Sequence, residues 1–500
     1  MALDRLNPLA RILLPAWAVL LVGALTHPLL HPGELALRDM LVLADPALSP
    51  AAVGMGDLPA RNAPQDGVLA IVGMLIDASW FARLALIAAG AAAAVGAWWL
   101  VVVVCERAGA AASAWAIAAG MTIAVYNPFV VERLLQGHWS LVIAAWLLPL
   151  IAAAGLSARP LIAAIAVVAA SLTPTGAIIA TVVAVVTARR HLMRLGLLVT
   201  GTAASLPWLL PGLADPSAGT SLARSVTAFA PRAEQYVGTP GALVGLGGIW
   251  NAEAVPASRE AGFALFGVAL FLLLLSVWRN VPRRLLVLAG CGLAVAISAW
   301  LIPDLLRLLV TTVPGGGLVR DSQKLVMLAI PAYVALAGML RPAFCALAAA
   351  LAIAQIPDAP LAVDELRPVE ITLDEELIAR ADGRDTLFLD RDALTRREDG
   401  AVIIEPHTKA MSVVESGELF VDGVRTDPPI RRYTAAVEAF HQGDLHRLER
   451  LGVGMVVAGD GTVIETAAEP GERTAGIVLT VFWMFLGAGL VLSGWLRRRR

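Results

Sequence analysis

Long apolar runs separated by short arginine-bearing connections govern what this chain can fold into. A hydrocarbon core about 30 Å thick takes roughly 20 helical residues to cross, each rising about 1.5 Å. Twelve such runs can be read, beginning near residues 11, 83, 109, 139, 160, 175, 194, 261, 284, 325, 342 and 474. The fifth and sixth are short and meet at Thr173-Pro174-Thr175-Gly176, a turn signal, so a re-entrant hairpin is the alternative there. The chain is 58% hydrophobic and only 16% charged, against about 25% charged residues in soluble domains. These features predict a polytopic α-helical membrane protein with about 12 transmembrane helices.

The first run follows Arg5 and Arg11 and lacks a small-x-small cleavage site, so it reads as an uncleaved helix. Threading the remaining runs alternately places Arg107, Arg159, Arg189, Arg190, Arg194, Arg279, Arg283, Arg284, Arg341 and the tail from Arg497 to Arg500 on one side. By the positive-inside rule that side is the cytoplasm, with both termini there. The long loops 30–82, 127–138, 214–260, 303–324 and 358–473 then face outward. The predicted organisation is a membrane domain over 1–357, an extracytoplasmic module over 358–473, and a final helix with its arginine tail over 474–500. Lysine occurs only at Lys324 and Lys409 among 38 basic residues, and alanine is abundant, a bias that suggests a GC-rich bacterial genome of the actinobacterial kind, and hence its cytoplasmic membrane.

Segment 358–473 changes character. Thr386–Asp390, Ala401–Glu405 and Gly454–Ala458 alternate as short strands, whereas Arg432–His441 and Asp444–Leu451 have helical spacing, so a small α/β module is expected. Cys105, Cys291 and Cys345 all lie at or inside apolar runs, leaving the module no disulfide framework.

Three outer segments carry chemistry-bearing residues. In the first loop, a carboxylate at the membrane boundary can act as a general base toward a hydroxyl. Asp39 is the first candidate and Asp45 the second; the alternatives are a solvated acid paired with Arg38, and a turn-starting Asp45-Pro46. The second segment runs from Tyr126 to Trp139. Asn127-Pro128 breaks the helix, and Glu132, Arg133, Gln136 and His138 offer a cation and hydrogen-bonding groups suited to a phosphate. Its alternative is a pair of interfacial aromatic anchors, Tyr126 and Trp139, with Glu132 and Arg133 tying loops together. The third runs from Pro314 through three glycines to Arg320, Asp321, Gln323 and Lys324, where two cations sit on the side that the positive-inside pattern leaves poor in them. Binding an anionic phosphate is one reason; internal pairing of Asp321 with a snorkelling Lys324 is the other. The loop 214–260 adds Arg224, Arg232, Glu234, Tyr236, Trp250, Asn251 and Glu253, a weak sugar-binding signal.

No Walker loop, dinucleotide fingerprint, zincin helix or paired-cysteine site occurs, and isolated His191 and His407 read as surface residues. No metal-ligand set, ATP, nicotinamide or nucleic-acid partner is implied. A divalent cation is left open.

The acidic loop after the first helix, the outer Asn127-Pro128-Phe129 segment before the fourth, and the outer C-terminal module together resemble the GT-C superfamily of membrane glycosyltransferases. Closest in layout are the actinobacterial cell-envelope arabinofuranosyl- and mannosyltransferases. The resemblance implies transfer from a polyprenyl-phosphate sugar donor to an envelope glycan acceptor among membrane lipids, with Asp39 as base and Asp45 as its substitute. It also favours phosphate binding by Arg133, His138, Arg320 and Lys324. Asp39 is flanked by Arg38 and Met40, which departs from the paired acids of many members. The competing class is a non-enzymatic transporter, flippase or assembly scaffold. Transporters usually carry mid-membrane charges and repeated broken helices, and the apolar runs here are almost free of charge.

Overall fold

A computed structural model describes residues 8–214, 222–313, 315–421 and 423–499; Arg5, Pro314, Arg500 and part of the 214–260 loop lie outside that description. Eight helices within it are long and apolar enough to cross a bilayer: Pro8–Leu30, Ala78–Arg107, Ala114–Leu135, Trp139–Leu156, His191–Ala214, Arg283–Leu301, Pro342–Leu366 and Thr474–Leu496. The other four apolar runs form the shorter helices Pro160–Ala170, Pro174–Thr187, Ala264–Leu275 and Ser322–Gly338. Eight of the twelve expected spans therefore meet the length criterion on their own. The break between Pro160–Ala170 and Pro174–Thr187 has a local cause: proline disfavours helical geometry in the residue before it, and Thr173 is extended at φ −129°, ψ 147°.

The helix Trp139–Leu156 is the hub, with 94% of its apolar window buried inside the protein, against 11% for the last helix. It crosses Ala78–Arg107 so closely that a Cβ on Gly96 would lie 2.5 Å from the Leu150 backbone nitrogen. Small residues allow such approach, which packs helices by contact where lipid offers no hydrophobic drive. At one end of the bundle arginines cap helix ends. Arg107 donates to the Leu156 carbonyl at 2.6 Å, and both Arg284 (2.8 Å) and Arg194 (3.1 Å) donate to that of Ala188.

The opposite end collects the loops that carry the candidate residues. Strands β1 (Leu35–Leu37) and β2 (Met40–Val42) form an antiparallel hairpin whose two-residue turn is Arg38-Asp39. Two-residue hairpin turns favour positive φ, and Arg38 has φ 48°. In the C-terminal segment, β3 (Thr386–Phe388) pairs in parallel with β8 (Met455–Val457), which pairs antiparallel with β9 (Val463–Glu465). Helices Arg431–His441 and Leu445–Arg450 pack Ala436, Ala439 and Leu448 against Leu387 and Val456 of that sheet. Two further hairpins, β4 (Leu394–Arg396) with β5 (Val402–Ile404) and β6 (Leu419–Val421) with β7 (Val424–Asp427), complete it. The β4–β5 hairpin grips the membrane part: Ile403 packs with Ala36, Leu41 and Leu43, the Arg38 amide donates to the Val402 carbonyl at 2.7 Å, and Arg397 donates to the Ala36 carbonyl at 2.6 Å. His407, expected at the surface, is buried beside Glu405 at 2.7 Å; a two-residue spacing on a bend brought the acid to it. His191 is exposed.

Candidate active site

The site grows from a short buried helix, Pro128–Leu135. Asn127 is extended, as a residue before proline must be, and its side chain accepts from the Val130 amide at 3.1 Å, a standard N-cap. The helix ends at Gly137, whose φ is +87°. A Cβ there would lie 2.3 Å from the Met40 nitrogen and 2.6 Å from the Leu37 carbonyl oxygen, so only glycine lets the helix end press against the hairpin turn. The Asp39 amide donates to the Gln136 carbonyl at 3.1 Å across this contact.

Around the turn the side chains form one connected chain of hydrogen bonds. Asp39 Oδ2 accepts from Gln136 Nε2 at 3.0 Å and lies 3.0 Å from His138 Nε2. His138 Nδ1 lies 3.0 Å from Arg133 Nη1. A guanidinium only donates, so Nδ1 must accept and the imidazole proton sits on Nε2, pointing at Asp39. Arg133 grips Asp321 bidentately at 2.6 and 2.9 Å and also donates to Gln323 Oε1. Lys324 Nζ stands 3.7 Å from Asp321. Asn251 donates to Gln136 Oε1 at 2.8 Å. Asp39 Oδ1 makes no hydrogen bond among the described residues, and 45% of the Asp39 side-chain surface is open.

The electrostatics follow from these contacts. Desolvation by the surrounding protein opposes ionisation of Asp39, yet the His138 and Gln136 hydrogen bonds and the Lys324 charge outweigh it, holding the carboxyl below its ordinary value. Although Asp39 opens to water on one side, the protein around the turn displaces enough solvent for these contacts to act. Burial, with Arg133 and Lys324 nearby, pushes His138 below the usual histidine range against the pull of Asp39, so its neutral form dominates at pH 7. Burial also opposes ionisation of Asp321, but Arg133 and Lys324 bring its carboxyl down to about 2.

Of the residues singled out from sequence, Asp39, Arg133, His138, Asp321, Gln323 and Lys324 come together here. Three others lie elsewhere. Asp45 is exposed beyond β2, away from the turn. Glu132 is fully buried on another side of the short helix, where it accepts from the Ile249 amide at 3.0 Å near the Glu234–Arg259 pair. Arg320 turns toward the C-terminal segment, reaching both Asp427 oxygens at 2.8 Å and lying 4.2 Å from the Phe229 ring centroid. Arg38 does not pair with Asp39; it donates to the carbonyls of Leu135 at 2.7 Å and Glu253 at 2.6 Å. Tyr126 and Trp139 are buried in protein instead of anchoring an interface, with the Tyr126 hydroxyl donating to the Ile356 carbonyl at 2.8 Å. Gln136, grouped with Arg133 from the sequence, and Asn251, part of the weak signal in the 214–260 loop, join the site. No group of three or more His, Cys, Asp or Glu side chains able to hold a metal occurs among the described residues, Asp39 and His138 offering two donors.

No protein-family model matches this chain, and no curated protein does. Among solved structures it is similar to the arabinofuranosyltransferase AftD from Mycobacteria, determined by single-particle cryo-EM. The two share 18% identity with a TM-score of 0.48, over 91% of this chain and 37% of that one. The chain thus spans little more than a third of that protein's length.

Proposed function

We propose that the protein transfers a glycosyl group from a polyprenyl-phosphate-linked sugar to an envelope glycan at the outer face of the cytoplasmic membrane, with Asp39 as the general base. The observation that carries this reading is the Asp39 carboxylate at the tip of a two-residue turn. It is ionised, its Oδ1 makes no hydrogen bond among the described residues, and Lys324 and Arg133 stand behind its hydrogen-bond partners. A carboxylate so placed accepts the acceptor hydroxyl's proton as the new glycosidic bond forms. The sugar–phosphate bond breaks with its electron pair passing to the lipid phosphate, and Lys324, partly exposed beside Asp321, supplies positive charge where that negative charge grows. Neutral His138 donates to Asp39 and fixes its direction, while Arg133 holds the imidazole tautomer.

In this reading the four shorter apolar helices complete the membrane domain, the arginine-capped end faces the cytoplasm, and the C-terminal segment lies outside. The test is the purified full chain in nanodiscs, given a panel of decaprenyl- and undecaprenyl-phosphate sugars. Turnover of one donor supports the reading. Binding without turnover of any donor favours a carrier, and neither binding nor turnover favours an assembly scaffold.

A further inference from the structure

A cavity of about 760 Å³ lies between the first loop and the C-terminal segment, outside the Asp39 cluster. Leu58, Ile404 and Ile430 give it an apolar wall. The charged groups on its other wall are mostly paired: Arg432 with Asp57 at 2.8 Å, Lys409 with Asp66 at 2.6 Å, and Asp427 with Arg320 at 2.8 Å. Arg61 is different. It lines the cavity, and its side chain makes no hydrogen bond or ion pair among the described residues. The one carboxylate whose field reaches it, Asp427, already has both oxygens engaged by Arg320. Arg61 is therefore a local cation beside an apolar wall, in a lining that also holds Glu415, Glu418 and Arg431.

We propose that this cavity is a second ligand site, for a phosphate-bearing molecule whose anion is gripped by the Arg61 guanidinium. A guanidinium presents up to five N–H donors in a planar fork that matches phosphate geometry, and one held among protein atoms without a partner is costly unless an anion completes it. Burial and the Arg320 charge bring Arg61 down to about 10, so it remains a cation at neutral pH. Burial raises the Glu415 carboxyl on the same cavity, against the pull of the Lys409 charge. The apolar wall accommodates a hydrocarbon stem attached to the phosphate. Asp39 does not line this cavity, although the Arg61 charge reaches Lys324 of the proposed transfer site.

The test is hydrogen–deuterium exchange on the full chain in nanodiscs with geranyl phosphate, geraniol or inorganic phosphate as probe, following peptides 56–62 and 415–430. Geranyl phosphate is expected to protect both peptides, with apparent affinity falling about tenfold or more in Arg61→Ala and less in Arg61→Lys. Asp39→Asn, which alters the transfer site and does not line this cavity, should leave this protection in place. Equal protection by inorganic phosphate would assign the site to free phosphates, and a need for the geranyl stem to lipid-borne ones. Unchanged protection in Arg61→Ala, equal protection by geraniol, or protection confined to residues 320–324 and 136–139 would overturn the proposal.

Discussion

Replacing Asp321 by leucine isolates the ion pair behind the candidate base. Arg133 is fully buried and Asp321 retains 5% of its side-chain surface, so Asp321→Leu strands a guanidinium inside the protein. Breaking a buried pair from one side costs about 3–5 kcal/mol. Linkage gives a lower figure: a carboxyl moved from about 3.9 unfolded to about 2 folded contributes about 2–3 kcal/mol at neutral pH. The remainder is the stranded Arg133, which loses the partner that satisfied it. Because the folded value is depressed, the Asp321 contribution is complete above about pH 4 and disappears as pH falls through about 2. The double variant Arg133→Met/Asp321→Leu removes both charges and should regain most of the lost stability, since Lys324 keeps 23% of its side-chain surface exposed and can turn to water. It should still lose transfer, because the His138 ring then keeps only its Asp39 contact and loses the Arg133 contact that orients it. Denaturant unfolding in detergent micelles at pH 7, read beside a transfer assay, measures both. A single variant within 1 kcal/mol of wild type, or a double variant as unstable as the single, would refute the reasoning.

Other expectations follow from the same geometry. Gly137→Ala forces a Cβ into the Met40 and Leu37 backbone and should lower transfer about a hundredfold, the loss expected when reacting groups shift by about 1 Å. Asn127→Ala should destabilise the chain by about 1 kcal/mol through the lost helix cap, as measured by denaturant midpoint. His138 is depressed in the folded state, so the stability it contributes is present above pH 6.5 and lost as pH falls through its folded value; His138→Gln should flatten that fall in thermal scans across pH 7 to 4. Arg397→Ala removes the 2.6 Å bond to the Ala36 carbonyl and should raise exchange of the 35–42 amides.

What could be read from the chain alone was local. Lipid thickness fixes where helices run, so apolar length gave their positions, and the acids of the loop after the first helix marked Asp39 as a candidate base. Arg133, Gln136 and His138 lie within six residues and their grouping was visible. Their meeting with Asp321, 188 residues from Arg133, was not, because it depends on helices packing in space. Adjacent residues on a helix diverge by about 100°, which is why Glu132 faces Ile249 while Arg133 faces Asp321. Arg320 likewise parts from Asp321 to meet Asp427, a partner on a strand that the alternation pattern left unmarked. Tyr126 and Trp139 carried the composition of interfacial anchors, but burial in the helix hub decided their place.

The central claim is that Asp39 takes the acceptor proton, and single-turnover transfer by the Asp39→Asn chain in nanodiscs tests it most directly. Asparagine keeps the size of the side chain and a hydrogen-bonding oxygen but removes the basic carboxylate. The account predicts that donor binding stays within about threefold of wild type while transfer falls by about 10² or more, the usual scale of general-base catalysis. Transfer at the wild-type rate in that variant would contradict it.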